Sequence, residues 1–203
     1  LTVDGYEDAT LGGSTALDQL ENLTLRNGSG TTALTTSTAA LSAVVDGVEG
    51  SVDFGDVTDL TLTAEGDASS FDVTATSAET VDITANTNLN LDADGNGLGV
   101  GTDTLTDVTI SGSGAVTLST PFQTPQQANL NSFDASANTG GVTGEIDGSS
   151  DRVGNLSEYL FSAGSDDVSV FTNNESVDLD VTLNEGDDTI SLRGGTTGIT
   201  GTI

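Results

Sequence analysis

The chain has no Cys, Met, Trp or His, and its 203 residues carry no Lys and only three Arg: Arg26, Arg152 and Arg193. Without Cys and His there are no disulfides, no thiolate or imidazole metal sites, and no cysteine or histidine catalysis. Such a chain must be held by packing, backbone ladders or oxygen-bound metal. The missing Met marks it as an excised segment or a processed product. No stretch approaches the roughly 18 apolar residues of a membrane span, and no basic-then-apolar signal peptide opens it. The three basic side chains face 32 acidic ones, for a formal charge of −29 at pH 7. That balance excludes nucleic acid, since nothing is available to displace counterions from phosphate. It equally excludes attachment to anionic lipid. Catalysis finds no support either: the arginines are scattered, and paired carboxylates among so many acids have no weight. The chain reads as a non-enzyme.

The acidity has a structural consequence. Self-repulsion at this charge density opposes a compact state unless cations offset it. High charge with few aromatics is the composition of a disordered chain. Yet 34% of the residues are hydrophobic, and they sit in short, regularly placed β runs. The clearest are Phe71-Asp72-Val73-Thr74-Ala75, Val81-Asp82-Ile83-Thr84-Ala85 and Leu89-Asn90-Leu91-Asp92-Ala93. Each alternates apolar and polar residues with period 2, as a strand with one buried face does. Leu23-Thr24-Leu25, Leu60-Thr61-Leu62, Val108-Thr109-Ile110, Val116-Thr117-Leu118, Val168-Ser169-Val170, Leu179 to Leu183 and Ile190-Ser191-Leu192 are their relatives. Alternation puts Asp72, Asp82 and Asp134 on the outward face.

Strands recurring about every ten residues, joined by Gly, Asn, Asp and Ser, make coils of roughly 20 to 25 residues. The fold expected is an all-β, parallel β-helix-like solenoid; a β-sandwich gives the same spacing and is the alternative. Short strands, small inward residues and neighbouring near-copies favour the solenoid. Four regions follow: irregular β coils over 1–56, solenoid repeats over 57–120, an insertion loop and further coil over 121–160, and calcium-type repeats over 161–203. Thr38 to Val45 reads as a short helix or irregular coil, and Val153 to Phe161 as a helical turn.

Two segments carry metal-ligating chemistry. Gly164-Ser165-Asp166-Asp167-Val168 and Gly186-Asp187-Asp188-Thr189-Ile190 both read G-x-D-x-U, the second half of the calcium nonapeptide G-G-x-G-x-D-x-U-x. Gly permits the tight turn, carboxylate and carbonyl oxygens face the ion, and the apolar residue enters the core. The leading Gly-Gly is absent: Ser162-Ala163 precedes one motif and Asn184-Glu185 the other. The candidate ligands are Gly164, Asp166, Asp167, Gly186, Asp187 and Asp188; ordinary turn chemistry is the competing explanation. A second candidate is Asp92-Ala93-Asp94-Gly95-Asn96-Gly97, which matches an EF-hand opening, with Asp92, Asp94, Asn96 and Asp103 as ligands. Strand precedes it where a helix is required, so it reads as an Asp-lined loop. Ca²⁺ is the expected cofactor.

Phe133-Asp134-Ala135-Ser136-Ala137 followed by Thr139-Gly140-Gly141-Val142 resembles the D-A-S-x-x-T-G-G segments that precede calcium nonapeptides in large secreted bacterial proteins. The resemblance is to RTX-type S-layer proteins and adhesins. It implies an extracellular, cell-surface structural subunit, folded and assembled through calcium. Its partners would be other copies of itself in a lattice or filament, and cell-surface polysaccharide. The alternative it implies is the stalk or binding region of a calcium-dependent adhesin.

Overall fold

A computed structural model describes residues 1–12, 17–36, 38–91, 99–100, 104–118, 130–147, 157–172, 178–194 and 200–202. Twenty strands, numbered β1 to β20 in chain order, form two sheets. The first sheet runs β1 (Thr2–Asp4), β3 (Asn22–Arg26), β5 (Ala40–Asp46), β7 (Asp59–Ala64), β9 (Thr80–Ala85), β12 (Asp107–Gly112), β14 (Ser132–Asn138), β16 (Ser157–Leu160), β18 (Asp178–Thr182), β20 (Thr200–Thr202). The second runs β2 (Ala9–Leu11), β4 (Thr31–Leu34), β6 (Glu49–Asp53), β8 (Ser69–Ala75), β10 (Leu89–Asn90), β13 (Val116–Leu118), β15 (Val142–Asp147), β17 (Asp167–Thr172), β19 (Thr189–Gly194). The short β11 (Gly99–Val100) pairs with β8.

Every pairing is parallel, and neighbours within a sheet are successive visits of the chain to it. The chain therefore alternates between the sheets, leaving one strand in each as it winds. This is a β-solenoid, with each coil advancing by about 4.8 Å. A sandwich would need antiparallel hairpins, and none occurs among the described residues.

Register explains why such short strands hold. Leu41, Leu60, Val81, Val108, Phe133, Tyr159 and Val181 stand in one column of the first sheet. All seven are buried, while the outward neighbours Thr61, Asp82 and Thr109 are exposed. Like residues stack on like, so one core cluster forms, mostly from small and aliphatic side chains, with Phe54, Phe71, Phe133, Tyr159 and Phe161 its largest buried members. Coil length varies while the column is kept: 19 residues separate Leu41 from Leu60, and 27 separate Val81 from Val108.

Asp72, Asp82 and Asp134 lie between buried neighbours on outward positions, as alternation requires. Two local expectations are corrected. Thr38 to Val45 is no helix: Ala40–Asp46 is β5, paired on both sides by β3 and β7, which places Leu41, Ala43 and Val45 inward. Ser157–Leu160 is likewise strand β16, held between β14 and β18, with Tyr159 inward; Val153 to Leu156 lie outside the described residues. In both places two ladder partners outweigh a local helical preference. Strands β1 to β6, within residues 1–56, belong to the same two sheets as the rest.

Candidate calcium corners

The two G-x-D-x-U segments enter adjacent strands of the second sheet. Val168 lies opposite Ile190 and Asp167 opposite Thr189, so Gly164–Val168 and Gly186–Ile190 occupy the same corner of successive coils. Their 22-residue spacing is one turn of the solenoid.

The corner differs from those before it in one side chain. Ser69, Leu89, Val116 and Val142 succeed one another at the first inward position of the second sheet. Because Thr143 pairs with Asp167, that column continues to Asp166, which is only 3% exposed. A carboxylate thus stands where earlier coils place mostly aliphatic groups. Such a group must be hydrogen-bonded. Asp166 Oδ1 accepts from Val142 N at 2.7 Å and from Ser162 Oγ at 2.7 Å; Oδ2 accepts from Ser162 N at 3.0 Å. Asp188 repeats the first of these one coil on, where its Oδ1 accepts from Asp166 N at 3.1 Å.

Burial raises the Asp166 carboxyl above its ordinary value, and the neighbouring Asp188 charge pushes the same way. The bonds from Ser162 and Val142 oppose the shift. A group whose folded pKa is raised holds a proton that the unfolded chain releases, so its contribution is present at low pH and lost as pH rises through the folded value. Relief of the overall negative charge acts in the same direction. In EDTA, the thermal midpoint should therefore rise as pH falls from 7 towards the ordinary carboxylate range. Circular dichroism melts across that window would check this, and Asp166→Asn should flatten part of the slope. A midpoint that falls throughout acidification would contradict the assignment.

The donor chemistry suits calcium in kind, being carboxylate and carbonyl oxygen. The arrangement suits it unevenly. Asp166, only 3% exposed, already has three protein donors on its two oxygens, which leaves it the least free of the corner's four acids to enter a calcium shell. Asp167 and Asp187 are exposed and Asp188 half-buried; these three are the acids of the corner open to a cation. Among the described residues, no three carboxylates gather closely enough to hold a metal ion. Gly164 and Gly186 form the turns themselves. A Cβ at Gly186, where φ is 138°, would stand 2.5 Å from Gly164 O. Asp92, Asp94, Asn96 and Asp103 lie outside the described residues.

The chain matches no family model, no curated protein and no solved structure. Its function must be argued from its own geometry.

The sequence reading missed the polar residues that tie corner to corner. Asn138, fully buried, accepts from Gly140 N and Gly141 N at 3.0 and 2.9 Å and donates through Nδ2 to Gly114 O of the preceding coil at 3.0 Å. Asn88 Oδ1 accepts from Ala115 N at 3.1 Å, and Asp46 Oδ1 from Asp67 N at 2.8 Å. For Asn138 and Asp46, an Asn or Asp closing a strand run and shortly before Gly was the available signal. Arg26 adds a weak surface bridge, 3.7 Å from Asp46 and 3.8 Å from Glu65; pairs this exposed contribute little.

Proposed function

We propose that the chain is a structural segment of a secreted bacterial surface protein of the RTX type, building a cell-surface layer or filament with other copies of itself and with calcium. The observation that supports this is the pairing of a parallel solenoid with a formal net charge of −29 over the chain. A solenoid is a rigid, quasi-one-dimensional element whose length scales with its coils. One this acidic needs cations to approach another copy of itself. Asp167, Asp187 and Asp188, with Asp92, Asp94, Asn96 and Asp103, are the residues proposed to take calcium. Bound there, calcium would supply charge neutralisation at the surface, and the described part of the chain presents Asp167, Asp187 and Asp188 at one corner of successive coils.

One observation favours a second reading, an adhesin stalk acting as a spacer. Among the described residues Leu1 is the sole exposed large hydrophobic, so no apolar patch offers itself for docking.

Circular dichroism and light scattering, titrated from EDTA into millimolar calcium with magnesium as control, separate the two. Growth in particle size with calcium alone supports the layer or filament. A folded chain that stays monomeric supports the stalk. Indifference of both signals to calcium would remove the cation from either reading.

A further inference from the structure

We infer that Asp166 and Ser162 form a metal-free lock, in which a buried carboxylate and a hydroxyl take the place that a bridging cation would hold between stacked corners. The observations are geometric. Ser162 Oγ lies 2.7 Å from Asp166 Oδ1 and 3.2 Å from Gly164 O. It thus stands between a carboxylate and a carbonyl oxygen of one turn, the two oxygen types a calcium ion would draw together. It also accepts from Gly164 N at 3.1 Å, which fixes the hydroxyl with its proton directed at the oxygens. The Asp166 carboxylate reaches back one coil to Val142 N, at 2.7 Å, and closes on Ser162 N, at 3.0 Å. Two successive corners are thereby joined through protein atoms alone.

The device is repeated with different chemistry on either side. In the next coil Asp188 accepts from Asp166 N, and Asn184, at the position equivalent to Ser162, donates to Phe161 O at 2.6 Å. Nearer the N-terminus Asn138, which is neutral, joins its own turn to Gly114. A neutral amide thus makes the same kind of coil-to-coil tie in the same solenoid, with protein donors and acceptors alone. It follows that the motif most suggestive of calcium divides its labour: Asp166 is structural, and any calcium belongs to the exposed Asp167 and Asp187 and to the free oxygen of the half-buried Asp188. This does not depend on the layer or the stalk being the correct function.

The test is amide hydrogen exchange at Val142 and Ser162, compared with β7 and β9 in the same sample, in EDTA and in millimolar calcium. The two amides should keep their protection in EDTA along with the mid-solenoid strands. Selective loss at these amides in EDTA, restored by calcium, would make Asp166 a metal ligand and overturn the inference. Should the whole chain open in EDTA, calorimetric titration of calcium decides: Asp166→Asn should bind as many ions as the natural chain, and the loss of one ion would overturn the lock. Ser162→Ala should lower protection at both amides about tenfold, with or without calcium. Unchanged protection in that variant would remove the hydroxyl from the assignment.

Discussion

Replacing Phe133 by alanine is expected to destabilise the chain by about 3–5 kcal/mol and to divide its unfolding into two steps. Phe133 is fully buried in β14, in register between Val108 and Tyr159. Its ring centroid lies 6.4 Å from that of Tyr159 and 5.8 Å from that of Phe161. Earlier coils fill this column with Leu41, Leu60, Val81 and Val108; Phe133 and Tyr159 then place two aromatic rings in it before Val181. The pairing of β12 with β14 also shifts register between Thr109 and Ser111, just beyond the level of Phe133, so the ladder there is interrupted. In a solenoid each coil contacts only its neighbours, and stability is a sum of coil terms and interface terms. A cavity at one interface therefore uncouples the coils on either side. Urea unfolding by circular dichroism, with hydrogen exchange read separately over β5–β9 and β15–β17, should show the later strands opening first. A single transition shifted by less than about 1 kcal/mol would show that the flanking rings collapse into the space.

Most of this fold was legible from alternation. Among the described residues, Val81-Asp82-Ile83-Thr84-Ala85 and its relatives fall within strands or at their ends, since a stacked coil needs the same inward residues at each level. Two strands that escaped notice each give one inward place to a residue without an aliphatic signature. Thr32 is a buried inward residue of β4, and Gly50 takes an inward place in β6 opposite Phe71. The choice between solenoid and sandwich rests on which strand pairs with which, and spacing along the chain carries no such information. At the candidate site, the 22-residue interval correctly stacked Gly164 on Gly186. The inward aim of Asp166 was hidden, because it depends on continuing a column that Leu89, Val116 and Val142 occupy far earlier in the chain. A motif names the residue types at a corner; the column decides which of them faces the core.

Gly144→Ala is the second large effect, expected to cost about 2–5 kcal/mol. Gly144 lies in β15 with φ at 153°, in register between Leu118 and Val168. A Cβ built there would overlap the carbonyl oxygen of Leu118 and stand 3.0 Å from the Leu118 side chain. Alanine disfavours that φ, and the obstacle is backbone, which cannot swing aside as a side chain could. Relief requires β13 and β15 to part, and both are tied into ladders on their far sides, β13 to β10 and β15 to β17. The strain therefore spreads along the stack. The coil joining β15 to β17 contains the aromatic strand β16, so the damage falls on the same junction that Phe133 secures. Thermal unfolding should show a midpoint well below that of the natural chain. Calcium-dependent growth, where the natural chain shows it, should fail at temperatures the natural chain tolerates, because copies can associate only through coils that keep their spacing. An alanine variant with an unchanged midpoint would mean that the ladder between β13 and β15 yields readily, and that the solenoid is too compliant to act as a rigid surface element.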